Sequence, residues 1–336
     1  MGQKTSIEWT EVTWNPVRGC SRVSEGCRNC YAERTAARFA QGGNFVGYVQ
    51  FANGHPQWTG KVELIESKLE EPLRWRTPKR IFVDSMSDLW HEKLPVAHIA
   101  SVYAVMRLAH WHTYQVLTKR PEVRLRAFKS TEFWALVERS EEKFADLRNI
   151  SARPEAQIQT PWIWEAVSVE DQKTADERIP LLLQTPAALR FVSYEPALGP
   201  VDFHLETYPE GAYLDWVIVG GESGPGARPM HPDWVRSVRD QCKAAGVPFF
   251  FKQWGAYRPA DAERSTVTTK DGEVLDSVKF AMPSHVGKKW GAPIQINREG
   301  VIVHDPPGQY MVRVGKKNAG ALLDGREWRE FPETSN

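Results

Sequence analysis

The chain has 336 residues, 43 of them basic and 42 acidic, for a formal net charge of +1. That balance excludes a globally cationic nucleic-acid binder and leaves room only for a local basic groove. With 41% hydrophobic and 25% charged residues it reads as a globular protein with a large core, and no run of about 18 apolar residues marks a membrane span.

The opening stretch, MGQKTSIEWTEVTW, lacks the apolar segment of a secretory signal, so the expected location is the cytoplasm. Next comes GCSRVSEGCRNCYAE, Gly19 to Glu33, which holds Cys20, Cys27 and Cys30 in a C-x6-C-x2-C spacing. A Cys-x2-Cys turn aims two thiolates at one centre, and Gly19 and Gly26 allow the close turns such a loop needs. The residues leave three readings open. One is a zinc site completed from afar by His55, His91 or Cys242. Another is a redox pair with a spare thiol. The third is an iron–sulfur cluster on three cysteines with one iron left open. Cys242 also reads as an ordinary buried core thiol.

Beyond the cysteines one unit recurs: a short apolar run, then polar residues, then a helical stretch. RIFVDSMSDLW predicts a strand ending near Asp84, TYQVLTKRP near Thr118 and WIWEAVSVED near Ser168. LRFVSYEPA predicts one ending near Ser193, DWVIVGGESG near Gly220 and VPFFFKQWG near Lys252. Runs this continuous suit strands buried on both faces of a parallel sheet. PVAHIASVYAVMRLA carries Val96, Ile99, Val102, Tyr103 and Met106 at helical spacing. TEFWALVERSEEKF predicts a helix within an insertion at 121–161. HPDWVRSVRDQCKAAGV predicts another, capped by Asp233 and stopped by Gly246. Further strands around Val12–Val17 and Lys61–Ile65 would close or nearly close a ring. The fold expected over residues 1–255 is therefore α/β, a TIM-type (β/α) barrel, full or partial. Residues 256–336 lose the rhythm and gain turn signals at Asp271-Gly272 and Pro306-Pro307-Gly308. They predict a small β-rich C-terminal appendage packed on the barrel.

A parallel barrel gathers the C-terminal ends of its strands on one face. Glu195, Lys252 and Lys119 are the candidate catalytic residues there. Asp84, Ser85, Glu165 and Ser168 are candidate cofactor-binding residues, with Gly220, Gly221 and Glu222 of VIVGGESGPGARPM. Asp88, Arg120 and Glu170 stand at equivalent positions. The two glycines free backbone amides for a ligand, and Glu222 is placed to grip an ammonium or hydroxyl group. The stretch is not a P-loop, since no Gly-Lys-Ser/Thr follows. The 14 tryptophans read as core and rim packing in preference to a base-stacking platform.

TSIEWTEVTWNPVRGCSRVSEGCRNCYAE, RIFVDSMSDLWHE, VLTKRP, SYEPALGP, VGGESGPGARPM, FFFKQWG and GKKNAGALLDGREW together resemble a bacterial and phage family known as the three-cysteine-motif proteins, of unassigned function. That family is in turn similar to radical S-adenosylmethionine enzymes. The resemblance implies a 4Fe–4S cluster on Cys20, Cys27 and Cys30 whose open iron binds S-adenosylmethionine. Reductive cleavage would then yield a 5′-deoxyadenosyl radical that abstracts hydrogen from a substrate at the barrel mouth. Phage association points to a nucleobase, nucleotide or nucleic-acid substrate. The chemistry implies an electron donor and leaves room for a separately encoded partner protein. Asp84 and Ser85 would take the cofactor's amino group, and Glu165, Ser168 and Glu195 its ribose or carboxylate. The chain departs from the radical-enzyme pattern in its x6 gap, in Asn29 where an aromatic residue is usual, and in a Gly-Gly-Glu after a late strand. The alternative is a zinc-stapled barrel module that binds nucleic acid or protein without redox chemistry.

Overall fold

Seven apolar segments lie side by side as parallel strands in the computed structural model, which describes residues 3–148, 160–208, 211–259, 266–268, 274–276, 311–313 and 315–333. A short first strand, β1 (Gln3–Lys4), pairs antiparallel with β2 (Val12–Trp14). Then follow β3 (Arg80–Val83), β4 (Thr113–Thr118), β5 (Ile163–Val169), β6 (Leu189–Tyr194), β7 (Trp216–Gly220) and β8 (Phe249–Gln253). Their hydrogen-bonded order is their chain order, as expected of successive right-handed βα units. All six strands expected from the apolar runs are present. Of the two extra strands, Val12–Trp14 joins the sheet. Glu63–Leu64 instead pairs with Val17–Arg18 in a separate two-stranded ribbon.

Side chains from β3 and β7 show that the sheet curls. In a flat sheet these strands, four positions apart, would stand about 19 Å from each other. Yet the Trp9 ring lies 4.7 Å from Phe82 of β3 and 6.4 Å from Trp216 of β7. The inward residues Phe82, Trp164, Phe191, Trp216 and Phe250 thus form one central apolar core. Their outward neighbours, such as Val83, Val116, Val192 and Val219, pack beneath helices. The result is a curled half-barrel of seven parallel strands, consistent with a partial TIM-type barrel.

Helix α1 (Tyr31–Ala40) follows the cysteine loop and packs against Tyr48 and Trp58. Five helices cover the outside of the sheet: α2 (Val96–Leu108), α3 (Pro121–Phe128), α4 (Thr131–Arg148), α5 (Gln172–Leu183) and α6 (Pro232–Ala245). In α2 the expected stripe is buried from Ile99 to Met106, while Val96 at its start is exposed. α6 ends on Gly246 at φ 69°, the left-handed cap expected. Its N-terminal cap is His231, whose ring nitrogen accepts from the Asp233 amide, so Asp233 itself does not cap. Among the described residues no helix is long and apolar enough to cross a membrane.

The C-terminal segment is built into the half-barrel. Met311, Ala319, Leu323 and Trp328 share the outer core with β7 and β8. The Phe251 amide donates to the Trp328 carbonyl at 2.9 Å, which covers the free edge of β8. Phe331 packs on Trp216 and Phe250 at the inner core. Most of the expected appendage, including both turn signals, lies outside the described residues.

Candidate functional site

The C-terminal strand ends and the cysteine loop enclose a cavity of about 400 Å³. The loop reaches it because Gly19, at φ 91°, turns where any Cβ would strike the Lys61 carbonyl. Arg120, just past β4, then clamps the loop. Its Nη2 donates to the Ser21 carbonyl (3.0 Å) and hydroxyl (2.8 Å), and its Nη1 pairs with Asp88 at 3.0 Å. The same Nη1 lies 3.9 Å from the Cys20 sulfur. His91 adds a second hold on Ser21. Its Nδ1 accepts from the Lys93 amide (3.2 Å), and its Nε2 is hydrogen-bonded to the Ser21 hydroxyl (2.8 Å).

Cys27 is fixed from the opposite wall. Ser24 donates to Glu170 at 3.1 Å, and Glu170 also pairs with Arg178 (3.1 Å) and with Lys119. Gly26 is required because a Cβ there would lie 2.5 Å from the Glu170 side chain. Burial acts to raise the Cys27 thiol, but the Lys119 ammonium and the amides of Val23 and Ser24 outweigh it and hold the pKa below its ordinary value. Cys20 is pushed up to about 12 by burial and by the Asp88 carboxylate. Cys30 is also raised, chiefly by burial. Lys119 is lowered to about 8, first by burial and then by the Arg178 cation. Its Nζ donates to Ser168 at 2.8 Å.

The Gly-rich stretch after β7 closes the third side. Glu222, expected to be open to a ligand, is engaged within the protein. Asn29 donates to it at 2.9 Å, and Arg228 grips it through Nε (2.9 Å), Nη2 (2.7 Å) and the backbone amide (2.8 Å). Arg228 also holds the Glu25 carbonyl at 2.9 Å, which ties this loop to the cysteine loop. Gly221 approaches the Trp254 backbone too closely for any side chain, and a Cβ on Gly220 would strike Glu195. Those glycines therefore serve close packing, and Gly220 lies beneath Glu195 and not on the cavity wall.

Glu195 and Lys252 face each other across the cavity floor at 3.0 Å, and the Ser193 hydroxyl donates to Glu195 at 3.1 Å. On the opposite side Asp84 sits at φ 57°, a left-handed conformation that costs a non-glycine residue about 1–2 kcal/mol. Its Oδ1 accepts from the Val17 amide at 3.0 Å, while its Oδ2 is buried without a hydrogen-bond partner. Burial pushes the Asp84 carboxyl up to about 8. Ser85 beside it lines the same wall and donates to Asn15 at 3.1 Å.

Glu165, like Gly220, does not face the cavity. It points outward, beneath the helices, where Tyr103 donates to it at 2.7 Å and Arg124 pairs with it at 3.0 Å. The reason is alternation: residues three apart on β5 face opposite ways, so Ser168 inward means Glu165 outward. Asn29, Arg228 and Lys316 join the site without having been singled out for it by sequence. Asp88, Arg120 and Glu170 carried a signal, since they also follow strand ends.

Cys20, Cys27 and Cys30 all line the cavity. His55 is exposed on a hairpin, His91 is spent on Ser21, and Cys242 is buried in the outer core, so none of these joins the three thiols. Among the described residues no group of three or more His, Cys, Asp or Glu side chains is arranged to hold a single metal ion. The donor set is three soft thiols beside Lys119 and Arg120; the Lys119 charge favours the Cys27 thiolate, and the Arg120 charge works against burial at Cys20. This chemistry fits an iron–sulfur cluster, in which each thiolate meets a different iron.

Solved structures similar to the chain include spore photoproduct lyase complexed with dinucleoside spore photoproduct and a tyrosine-to-phenylalanine variant of spore photoproduct lyase. In each case the identity is 9%, the TM-score 0.35, and the match covers 82% of this chain and 70% of the other. No curated protein matches the chain. A family profile described as "Protein of unknown function (DUF5131)" matches residues 4–332. With the match spanning nearly its whole length, the chain belongs to that family of proteins of unknown function.

Proposed function

We propose that this protein is an iron–sulfur enzyme that uses S-adenosylmethionine for one-electron chemistry on a nucleobase-containing substrate. The observation that carries this reading is the placing of three cysteines on the wall of a cavity bounded by parallel strand ends, with none of Cys242, His55 and His91 joining them among the described residues. Cys20, Cys27 and Cys30 would hold the cluster, which together with S-adenosylmethionine supplies a carbon-centred radical when an electron donor reduces it. The remaining groups are this chain's own. Asp84, Ser85 and Ser168 offer polar atoms along the wall to the cofactor. Glu195 and Lys252 form an ion pair at the floor, where they would position a bound substrate. Trp9, Phe82 and Leu117 line the inner end and keep it apolar, which shields a reactive species from water.

The test is anaerobic purification followed by iron, sulfide and zinc analysis. About four irons and matching sulfide per chain, with release of 5′-deoxyadenosine on reduction in the presence of S-adenosylmethionine, is the expected result. A colourless protein holding one zinc would overturn the reading in favour of a structural metal. Cluster without cleavage would overturn the radical chemistry and leave an electron-transfer role.

A further inference from the structure

The outer face of α1 begins at the cavity mouth, where the Tyr31 hydroxyl donates to the Ser85 carbonyl, and runs out to the exposed Arg38 and Phe39. Its inner face is Ala32, Glu33, Ala36 and Ala37, all buried. Glu33 is the helix's only acid, and it is spent inward on Arg22 (2.6 Å) and the Trp58 amide (3.0 Å). The outer face therefore carries no negative charge. Along it run Tyr31, Arg34, Arg38 and Phe39, at i, i+3, i+7 and i+8, which places them on one stripe. Tyr31 is 49% exposed and Phe39 50% exposed, so both rings offer a face to solvent. Among the described residues no carboxylate pairs with Arg34, Arg38 or the nearby Arg28, although Arg34 donates to the Ser223 carbonyl at 3.0 Å. The stripe is about 12 Å long. At its start, Tyr31 and Arg34 also line the cavity, so stripe and cavity are continuous.

We infer that this stripe is a binding track for single-stranded nucleic acid that leads into the cavity. Exposed rings offer faces on which unpaired bases stack, and arginines without carboxylate partners offer charge to the phosphates between them. A duplex hides its base faces and would leave Tyr31 and Phe39 unused. The near-neutral net charge agrees with a local track and not a general affinity for nucleic acid. The inference deepens the proposed function by naming the substrate class. It rests on that reading only for the final step, in which a base at the Tyr31 end enters the cavity.

Fluorescence anisotropy of the full-length protein with short labelled DNA and RNA single strands, and with the matching duplex, tests it. Single strands should bind more tightly than duplex, with affinity falling between about 50 and 200 mM salt. Phe39→Ala should weaken binding about fivefold or more. Arg38→Ala should lower the salt slope by about 0.7, and Arg38→Lys should restore it. Phe39 rests on Phe45, so Phe39→Ala can disturb local packing, but Arg38→Ala leaves that contact untouched and decides the matter alone. Duplex bound as tightly as single strand would overturn the inference, as would Arg38→Ala binding like the unaltered protein. A protein partner lost on Arg38→Ala, with no oligonucleotide binding, would overturn it too. Binding is read without reference to iron content, so its failure and a failure of the cluster assignment are distinguishable.

Discussion

Asn29 and Glu222, 193 residues apart in the chain, meet in a hydrogen bond of 2.9 Å. The Asn29 amide nitrogen also donates to the Gly226 carbonyl at 2.8 Å, so one side chain joins the cysteine loop to the loop after β7. Asn29 is thus one half of a latch whose other half is the Glu222–Arg228 pair.

Breaking the latch should loosen the cysteine loop. Asn29→Ala is expected to lower the unfolding free energy by about 1 kcal/mol, and Glu222→Gln by about 2, because the second change also weakens a charged contact to Arg228. Urea unfolding measures both. Unchanged midpoints would show that the two loops are held together by other contacts.

Asp84 should make stability depend on pH. Its folded pKa is raised, so the folded chain holds a proton that the unfolded chain releases. Stability is then full below the unfolded value near 3.8 and is lost as pH rises through about 8. Asp84→Asn keeps an acceptor for the Val17 amide and tolerates the left-handed backbone, but it cannot ionise. The melting temperature of the variant should therefore fall less between about pH 5 and 9 than that of the unaltered chain. Parallel profiles would show that Asp84 is already ionised in the folded state.

Gly26→Ala places a methyl group against Glu170, which is buried and held by Lys119, Arg178 and Ser24. The expected cost is about 1–3 kcal/mol, with reduced iron retention because Cys27 is the next residue. Thermal melts and iron analysis together give the answer. A variant as stable and as iron-rich as the parent would show that Glu170 can swing aside.

Cys242→Ala separates a core thiol from the three proposed to hold the cluster. Cys242 is fully buried with Val238 and Phe249 in the outer core, so its loss should cost about 1 kcal/mol and leave iron content unchanged. Cys27→Ala should do the reverse, losing iron with little change in the fold of the metal-free protein. Equal loss of iron from both variants would contradict the assignment of the three cysteines.

The strands were legible because each is an apolar run too continuous for a one-sided strand. The six predicted ends fall within a residue or two of those observed, from Val83 to Gln253. That same continuity hid the phase of each strand. With both faces of β5 buried, hydrophobicity does not say which way Glu165 points, and only its period-two relation to Ser168 could have told. Lys61–Ile65 misled for a related reason. A short β-rich segment has the same composition whether it joins the main sheet or pairs with Val17–Arg18 in a ribbon of its own.

The sequence by itself determined the parallel α/β scaffold, the three-thiol cluster of residues and the concentration of polar groups after strand ends, because these depend on local spacing and composition. Tertiary structure alone decided which of those groups remain available to a ligand. Glu222 is bound to Arg228 and Asn29, while Asp84 keeps one buried oxygen without a partner. The partners lie up to 193 residues away. No local pattern encodes such pairings, since they arise only when the sheet curls and brings distant loops onto one face.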